Sequence, residues 1–502
     1  MNDRDTDIVV VGAGNAALCA ALAAREKGAH VIMLESAPEA ESGGNTRFTA
    51  GAMRVVYNGV DDLSQLMPDL SQAEKDRTDF GSYSAGDFYD DMARVTQYRT
   101  SLELSDLVVS RSFPTLLWMR EKGVRFAPIY GRQAFKVDGR FKFWGGLTVE
   151  AWGGGPGLVS ALTQACRLAG IEILYDCRAE RLLRTGDSVT GVVVRAMGRV
   201  VTIAAKAVVL ASGGFEANPE WRTRYLGPGW DLAKVRGTRF NQGDGLRMAL
   251  DIGAAACGNW SGCHAVGWER NAPDYGDLAV GDNFQKHSYP FGIMINARGR
   301  RFVDEGADFR NYTYAKYGRV ILEQPEQFAW QIFDSKVTHL LRDEYRIKQV
   351  TKVTADTIEE LVRKLGDVDQ EQALREIRAY NDAVDTATPF NPNVKDGRAA
   401  RELDVPKSNW ANRLDTPPYE AYAVTCGITF TFGGLSIDSH ARVLDVGGKP
   451  ILGLFAAGEL VGGIFYFNYP GGTGLTSGAV FGRIAGASAG SLIAGVDIET
   501  AA

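Results

Sequence analysis

The first 36 residues hold the feature that most restricts how this chain can fold. A short apolar run, Ile8 to Val11, leads directly into the six residues GAGNAA at positions 12–17. An alanine-rich stretch follows, and a second apolar run ends at Glu35, which stands 21 residues after Gly14. A strand, a glycine-rich turn, a helix and a second strand that ends in an acid predict a βαβ unit that binds a dinucleotide.

Each residue type in this pattern has a physical reason. Gly12 permits the tight turn, and Gly14 lets the backbone approach a pyrophosphate at the positive N-terminus of the helix. The small Ala17 allows the helix to pack closely on the strand, and Glu35 can accept a hydrogen bond from a ribose hydroxyl. An acid in this place disfavours a bound 2′-phosphate and therefore NADP. The alternative interpretation is an ordinary glycine turn in an α/β unit.

The other end of the chain carries a second glycine-rich segment, LFAAGELVGGIFYFNYPGGTGLTSGAVFGRIAG at 454–486. It has the pattern of a strand, a loop and a helix, and its glycines would let the backbone close over a flavin ring. A site for NAD alone does not need this segment, whereas a flavoprotein whose chain leaves the cofactor domain and returns to it needs both ends. We therefore predict an α/β, Rossmann-like cofactor domain formed by residues 1–258 and 431–502.

The middle of the chain, residues 259–430, is richer in Tyr, Trp, Asn and Arg than the two ends. A chain of 502 residues is too long for one hydrophobic core, so at least two domains are expected. We predict that 259–430 is an inserted α+β domain. The formal net charge of −6 gives no indication of binding to nucleic acid or to a membrane surface.

The six cysteines are scattered and form no C-x-x-C pair. We therefore expect no covalent haem, no iron–sulfur cluster and no structural zinc site in this chain. No apolar run reaches the roughly 18 residues of a membrane span, and the polar start MNDRDTD is not typical of a signal peptide. We therefore expect a cytoplasmic protein with reduced thiols.

A series of motifs in a fixed order resembles one known family. The series is GAGNAA with Glu35, GGNT at 43–46, ASGGF at 211–215, NQGDG at 241–245, NARGRRFVDEGADFR at 296–310, TFGGLSID at 431–438, AAGELVGG at 456–463 and FGRIAG at 481–486. It resembles the FAD-containing fumarate reductase/succinate dehydrogenase flavoprotein family over essentially the whole chain. Within that family, the segments FNYPGGTGLTSGAVFGRIAG at 467–486 and GGNTRFTAGAM at 43–53 most resemble FAD-dependent tricarballylate dehydrogenases. The resemblance implies an FAD-binding domain split in sequence, an inserted capping domain and an active site between them.

The resemblance also implies which residues hold FAD. The N-terminal glycines would bind the pyrophosphate, Glu35 the adenosine ribose and Glu459 the ribityl chain, and the start of the last helix would face the flavin N1 and O2 atoms. Asp244 either caps a helix or binds a cofactor hydroxyl. Family members with covalent FAD have a histidine in the loop that corresponds to 40–46; this chain has none there, so non-covalent FAD is expected. The predicted FAD residues are Gly12, Ala13, Gly14, Asn15, Ala16, Glu35, Ser36, Gly43, Gly44, Asn45, Thr46, Gly51, Ala179, Ala211, Ser212, Gly213, Asp244, Gly458, Glu459, Gly474, Leu475 and Thr476.

Two residues of the middle segment match catalytic positions of the family. The family exchanges a hydride between a C–C bond and flavin N5, and a protein group exchanges the proton. Arg310 follows an R-F-x-x-E-like segment and is the candidate acid/base, although a guanidinium is normally never deprotonated. His264 matches a substrate-binding histidine. The alternatives are a salt bridge from Arg310 to Asp304, Glu305 or Asp308, and a hydrogen-bonded core histidine.

The C-terminal segment departs from the dicarboxylate enzymes of the family. Phe430 replaces a substrate histidine, and Tyr469, in the run NYPGG at 468–472, stands where those enzymes have a carboxylate-binding arginine. The Y-P-G run instead resembles 3-ketosteroid dehydrogenases, where such a tyrosine and a nearby backbone N–H polarise a carbonyl. Tyr469 with the Thr473 amide would stabilise negative charge on a substrate oxygen in this way. The alternative is a tyrosine that only packs beside the flavin.

The expected reaction is desaturation of a C–C bond next to a carboxylate or carbonyl, with tricarballylate converted to cis-aconitate as the first candidate. A ketosteroid-type dehydrogenase, another fumarate-reductase-like enoate oxidoreductase and a non-catalytic flavin-bearing electron-transfer subunit are the alternatives. A tricarboxylate would need cations in place of the lost arginine, and Arg47, Arg54, Arg132 and Arg239 are available. A separate electron acceptor is expected, either a quinone or, as the resemblance suggests, a membrane-associated iron–sulfur protein.

Overall fold

In a computed structural model of the chain, which describes residues 3–143 and 146–496, the first apolar run forms a strand at the centre of a mainly parallel sheet. This strand, β1, spans Arg4–Val11 and pairs in parallel with the second apolar run, Val31–Leu34, on one side. On its other side it pairs in parallel with Arg199–Leu210, so that Val10 lies between Met33 and Val209. Ile8 to Val10 are completely buried, as a continuous apolar run in a central parallel strand requires.

The remaining strands of this unit complete the main sheet or form two small sheets. The order in the main sheet is β10-β11-β20-β12-β1-β2-β9, with β19 paired to β20. The small sheets have the orders β3-β8-β5 and β4-β7-β6. The strands are β1, β2 (Val31–Leu34), β3 (Ala52–Met53), β4 (Thr78–Asp79), β5 (Phe126–Pro128), β6 (Ala134–Val137), β7 (Arg140–Phe143), β8 (Val149–Ala151), β9 (Glu172–Leu174), β10 (Cys177–Thr185), β11 (Ser188–Ala196), β12 (Arg199–Leu210), β19 (Arg442–Leu444) and β20 (Pro450–Ala456).

The helices of this unit lie mainly in its N-terminal half, with one long helix near the C-terminus of the chain. This α/β architecture confirms the predicted fold class. The helices are α1 (Asn15–Glu26), α2 (Val60–Leu66), α3 (Gln72–Arg77), α4 (Ala85–Val95), α5 (Leu102–Glu121), α6 (Tyr130–Gln133), α7 (Gly154–Leu168), α8 (Pro219–Trp221), α9 (Asp244–Leu250) and α13 (Thr473–Ile493).

Helices α1 and α13 pack unusually closely, and the sequence shows why. Glycines recur every fourth residue along α13, at 478, 482, 486 and 490, so they form one stripe on a helix. A Cβ atom added to Gly482 would lie 2.4 Å from the carbonyl oxygen of Ala16, and one added to Gly486 would lie 2.0 Å from that of Ala20. The glycine stripe therefore lets α13 rest directly on the alanine-rich backbone of α1, which joins the two ends of the chain.

The second unit is built on a sheet that has helices on both faces, because Tyr317 and Ile321 of one helix cluster with Met294 on the face opposite to Ile293. Its sheet order is β13-β18-β16-β15, and β14 and β17 pair with β18. Leu361 and Ile377, from two of its helices, pack with Trp330 and Ile332 in one buried cluster. The elements are β13 (Lys234–Val235), β14 (Ala256–Glu269), β15 (Ile293–Asn296), β16 (Ala329–Phe333), β17 (Lys352–Ala355), β18 (Tyr419–Leu435), α10 (Tyr314–Leu322), α11 (Ile358–Lys364) and α12 (Gln370–Ala383).

The boundaries of the two units differ slightly from the predicted domains. The first unit runs up to Asp231, includes Gly237–Cys263 and resumes at Phe430; the second comprises Leu232–Arg236 and His264–Thr429. The prediction had assigned 232–236 to the cofactor domain, but β13 pairs with β18 through Gly427 and Ile428 and so joins the second unit. Residues 1–2, 144–145 and 497–502 of the predicted ranges lie outside the described part of the chain. The assignment of the units as cofactor and capping domains stays a prediction.

In the described part of the chain, no helix combines the length and the apolar character that crossing a bilayer requires.

Candidate active site

The turn between β1 and α1 packs tightly against the end of β12. Gly12 has a φ of 115°, and a Cβ atom on it would lie 2.4 Å from the carbonyl oxygen of Ala211. Its N–H donates to the carbonyl of Leu34 at 2.7 Å, which ties the turn to β2. The first N–H groups of α1, which begins at Asn15, have no partner within the helix and form a positive end. This geometry is suited to a pyrophosphate.

The loop at 43–46 lies beside this helix start. It forms a one-turn helix, Gly44–Phe48, after Gly43, whose φ is 103°. The hydroxyl of Thr46 accepts a hydrogen bond from the backbone N–H of Asn15 at 3.1 Å, and a Cβ on Gly14 would stand only 3.6 Å from that hydroxyl. Two segments that the sequence predicted to contact the cofactor are therefore in direct contact with each other.

The C-terminal segment also reaches the helix start. The side-chain amide of Asn15 donates to the carbonyl of Leu475 at 2.8 Å, and a Cβ on Gly458 would lie 2.8 Å from Cβ of Ala16. Gly474, Leu475 and Thr476 lie in the first turn of α13, which begins at Thr473. The structure thus brings both ends of the chain and the 43–46 loop to one place, although the sequence separates them by more than 400 residues.

Glu35 directly follows β2, and its side chain reaches the glycine-rich turn. Its carboxylate accepts hydrogen bonds from the backbone N–H of Ala37, at 2.8 Å, and of Ala13. The hydroxyl of Ser36 contacts the same carboxylate at 3.4 Å. Burial raises the pKa of Glu35 above its ordinary value, and these N–H groups oppose the rise. The carboxylate is thereby fixed beside the turn that it was predicted to serve.

Other predicted cofactor residues lie around this centre. Ser212 follows the end of β12, and its hydroxyl oxygen is buried with no hydrogen-bond partner among the described residues, so a ligand could satisfy it. Gly213, beside it, has a φ of 75°. Ala179 is buried on β10. Gly51 has a φ of 71°, and a Cβ on it would lie 2.7 Å from the backbone of Gly154, so its visible role is in packing.

The prediction that Asp244 caps a helix is wrong. Gly243, with a φ of 83°, occupies the N-cap of α9, and Asp244 lies in the first turn. Both carboxylate oxygens of Asp244 accept hydrogen bonds from Arg178 at 2.7 Å. A bidentate arginine is a stronger partner for a carboxylate than one backbone N–H, so the ion pair sets the side-chain position. Its predicted contact with a cofactor hydroxyl stays a prediction.

Tyr469 is buried in a cluster of aromatic side chains next to the start of α13. Its ring centroid lies 5.0 Å from that of Phe430 and 5.5 Å from that of Phe465, both in edge-to-face geometry. Phe432 extends the cluster at 5.3 Å from Phe430. A Cβ on Gly474 would meet Phe430 at 3.7 Å and Tyr469 at 4.0 Å, so the helix start adjoins the cluster. The rings that contact Tyr469 in this cluster are apolar.

The backbone N–H of Thr473, which was predicted to polarise a substrate carbonyl together with Tyr469, already has a partner. Its N–H donates to the carbonyl of Pro470 at 3.1 Å. The next residue, Gly474, lies in the first turn of α13, where helix geometry supplies no internal partner for the backbone N–H. It also adjoins Tyr469, so its amide is the better candidate to act with that phenol.

In the second unit, Arg310 lies at a histidine that the sequence analysis missed. Arg310 begins a one-turn helix, Arg310–Tyr312, and its Nη1 lies 3.4 Å from Nδ1 of His287. His287 is buried and packs edge-on against Tyr314 at 5.0 Å. Of the acids proposed as salt-bridge partners, Glu305 is bound by Arg301 at 2.6 Å and Asp304 by the backbone N–H of Ser408 at 3.0 Å.

His264 packs on the same tyrosine. Its ring meets that of Tyr314 edge-on at 5.0 Å, so Tyr314 links both histidines. Burial, together with the nearby charge of Arg236, lowers the pKa of His264 well below its ordinary value. His264 is therefore a neutral imidazole at physiological pH, able to donate or accept a hydrogen bond but not to attract a carboxylate by charge.

Three of the four arginines considered for a tricarboxylate are engaged elsewhere. Arg54 is fully buried and binds Asp91 at 3.1 Å and the carbonyl of Gly471 at 2.9 Å. Arg47 donates to the carbonyl of Ala40 at 2.7 Å, and Arg239 pairs with a surface glutamate, Glu41, at 3.0 Å. These contacts weaken the expectation of a tricarboxylate site in the first unit.

Comparison with known proteins identifies the family. The family model described as "FAD binding domain" matches residues 7–475. The chain belongs to this family. Its relatives include a probable fumarate reductase, Ifc3, of Shewanella frigidimarina (strain NCIMB 400), which is 30% identical over 494 residues covering 96% of this chain and 74% of the relative. A 4-oxocyclohexanecarboxylate 2-dehydrogenase of Sinomonas cyclohexanicum is 28% identical over 575 aligned positions covering 96% of this chain and 93% of the relative.

A solved structure agrees with this assignment. The open conformation of a flavocytochrome c3 fumarate reductase has a TM-score of 0.73 and 28% identity, over 98% of this chain and 79% of that chain. The chain is thus an FAD-dependent oxidoreductase of the fumarate reductase-like flavoproteins, as the resemblance had implied. The tight glycine turn at Gly12, the positive start of α1 and the buried hydroxyl of Ser212 all fit an FAD molecule.

Proposed function

We propose that this protein oxidises or reduces a C–C bond next to a carbonyl group, in a small ketone or keto acid. The observation that carries the proposal is the phenol of Tyr469 within the aromatic cluster of Phe430, Phe465 and Phe432. Such surroundings suit the flat, uncharged part of a substrate and strengthen a hydrogen bond to its oxygen, because few water dipoles screen it.

FAD, when bound, supplies the site that accepts or returns the hydride. The pyrophosphate-binding residues would be Gly12, Gly14 and the start of α1, with Glu35 at the ribose. The absence of histidine at 40–46 supports non-covalent binding. The first turn of α13, at Gly474 to Thr476, would direct its positive end to the flavin ring, which favours negative charge there.

The protein residues would then act on the substrate. The hydroxyl of Tyr469 and the N–H of Gly474 would donate hydrogen bonds to the substrate oxygen and stabilise enolate-like charge as the C–C bond changes order. Arg310 would carry the proton at the neighbouring carbon. His287, 3.4 Å from Arg310, would orient its guanidinium, and the neutral His264 would hydrogen-bond the substrate.

The relatives support a reaction at a carbonyl-activated C–C bond. Their names include a fumarate reductase and a dehydrogenase of 4-oxocyclohexanecarboxylate, a compound that carries a ketone and one carboxylate. Conversion of tricarballylate to cis-aconitate is the second candidate and rests on the motif resemblance alone. It needs several cations near the substrate, whereas Arg47, Arg54 and Arg239 already bind other groups. We also propose a separate electron acceptor, either a quinone or an iron–sulfur protein.

The test is a ligand panel on the purified flavoprotein. A ligand that binds the folded state raises its melting temperature, because it stabilises that state by RT ln(1 + L/Kd), where L is the ligand concentration. We expect stabilisation by 4-oxocyclohexanecarboxylate or by a 3-ketosteroid and little effect from tricarballylate. Stabilisation by tricarballylate alone would replace the first candidate with the second.

A further inference from the structure

A buried carboxyl group, that of Glu216, lies next to the carboxyl group of Glu459. Glu216 follows the end of β12, is completely buried, and is hydrogen-bonded to the carboxyl group of Glu459. Glu459, which was predicted to bind the ribityl chain, is partly exposed. It accepts from the backbone N–H of Thr431 at 2.8 Å and from its hydroxyl at 3.2 Å. Glu216 thus forms the interior side of a carboxyl pair whose other member can reach a ligand.

Glu216 also holds a second predicted FAD residue. Its Oε1 accepts hydrogen bonds from the side-chain amides of Asn45, at 2.7 Å, and of Asn241, at 2.5 Å. Asn45 in turn accepts from the backbone N–H of Thr238 at 2.9 Å. One glutamate therefore fixes Asn45 in the loop beside the pyrophosphate site and Glu459 at the other end of the same site.

The hydrogen-bond pattern requires a proton in this pair. The second carboxyl oxygen of Glu216, Oε2, meets no N–H or O–H donor among the described residues. Its neighbour is another carboxylate, which is also only an acceptor when ionised. Two carboxylates that face each other, one of them completely buried, are stable only if one of them carries a proton. Burial and the charge of Glu459 raise the pKa of Glu216 well above its ordinary value, which puts the proton on Glu216.

We propose that protonated Glu216 is a positioning residue, which donates a hydrogen bond through its O–H to Glu459 and thereby holds Glu459 and Asn45 ready for FAD. Loss of this proton places two negative charges side by side in the interior. The pair then separates, and Glu459 leaves the position in which it accepts the cofactor hydroxyls. FAD affinity therefore falls as pH rises through the ionisation of Glu216.

The other charged groups around the pair do not produce the same effect. Arg222 donates to the backbone carbonyls of Glu216 and Asp231, at 3.1 and 2.9 Å. Glu35 also has a raised pKa, but its protonation at low pH removes an acceptor for the ribose, so its effect on FAD affinity has the opposite sign. Glu150 lies in β8, in a different sheet of the unit, and burial raises its pKa to about 7.

The experiment is a titration of the FAD-stripped full chain with FAD between pH 6 and pH 9.5, followed by flavin fluorescence. For the wild type, Kd should rise with pH, approaching tenfold per pH unit above the ionisation. In Glu216→Gln the amide donates permanently to Glu459 while its oxygen still accepts from Asn45 and Asn241. Its Kd at pH 6 should stay within about threefold of the wild type and should not rise with pH, as expected for a mimic of the protonated acid.

Glu150→Gln is the matched control and should keep the pH dependence of the wild type. Circular dichroism of each FAD-stripped variant at both pH limits shows whether the chain is folded. The proposal is wrong if the wild-type Kd is independent of pH, if Glu216→Gln keeps the wild-type slope, or if folded Glu216→Gln loses FAD at pH 6. The measurement involves no substrate, so its outcome is separate from that of the proposed reaction.

Discussion

Substitution of Gly486 by alanine tests the packing that joins the two ends of the chain. The new Cβ atom would lie 2.0 Å from the carbonyl oxygen of Ala20, whereas atoms of this kind normally stay more than about 3 Å apart. The obstacle is backbone of α1, so the clash cannot be relieved by a side-chain rotation; the helices must separate by roughly 1 Å. Overpacking of this kind lowers the free energy of unfolding by up to about 3 kcal/mol, and the higher helix propensity of alanine raises it by about 1 kcal/mol.

The net expected loss is about 2 kcal/mol, which corresponds to a fall in melting temperature of roughly 4 °C for a large domain. Gly86→Ala is the control, because Gly86 lies in α4 and a Cβ there meets nothing closer than 3.6 Å. Thermal unfolding followed by circular dichroism should show Gly486→Ala below the wild type and Gly86→Ala at or above it. Equal melting temperatures for Gly486→Ala and the wild type would refute the argument that α13 rests on the backbone of α1.

Three substitutions test the proposed chemistry. The measured quantity is the rate at which the substrate reduces the flavin, followed by stopped flow under anaerobic conditions. Tyr469→Phe should slow reduction by about 10²-fold while Tyr466→Phe, in the same loop, changes it little; an equal rate for both would leave Tyr469 a packing residue. Arg310→Lys should slow reduction by about 10²-fold or more with unchanged FAD affinity, and a rate near that of the wild type would remove Arg310 from proton transfer. His287→Gln should lower the rate by roughly 10-fold through a misplaced guanidinium, without change in FAD affinity; no loss of rate would show that the 3.4 Å contact has no function.

The cofactor-binding half of the fold could be predicted because its signals are local. The apolar run, the glycines at 12 and 14 and the acid at 35 depend on one strand–turn–helix–strand unit, and the structure gives each of them its expected position. The helix of the C-terminal segment was predicted from the same kind of local pattern. Its glycines were expected to let the backbone close over a flavin ring, and the structure shows that Gly482 and Gly486 contact the backbone of α1.

The interior carboxyl pair could not be predicted, because its partners come from distant segments. The role of Glu216 depends on Asn45, Asn241 and Glu459, which contact it only in the folded protein. His287 similarly has no motif, and its contact to Arg310 spans 23 residues. A single sequence shows residue types at these positions but not which of them meet.

The errors have the same origin. A cap of α9 was one of the two roles that the local sequence left open for Asp244, but Arg178, 66 residues away in sequence, binds its carboxylate. Arg54 was one of four arginines considered as a replacement for the lost carboxylate-binding arginine, yet it is buried against Asp91 and the Gly471 carbonyl. In both cases a long-range ion pair overrides the interpretation that local sequence favours.

The central claim is that bound FAD exchanges a hydride with a C–C bond next to a carbonyl, and the flavin absorbance tests it most directly. The purified protein is mixed anaerobically with 4-oxocyclohexanecarboxylate, a 3-ketosteroid, tricarballylate or succinate, and the band near 450 nm, roughly the oxidised-flavin maximum, is followed. We predict that a saturated ketone bleaches the flavin and that an unsaturated ketone restores its colour after reduction by dithionite. The account would be contradicted by a flavin that dithionite reduces but that no saturated ketone bleaches and no unsaturated ketone reoxidises.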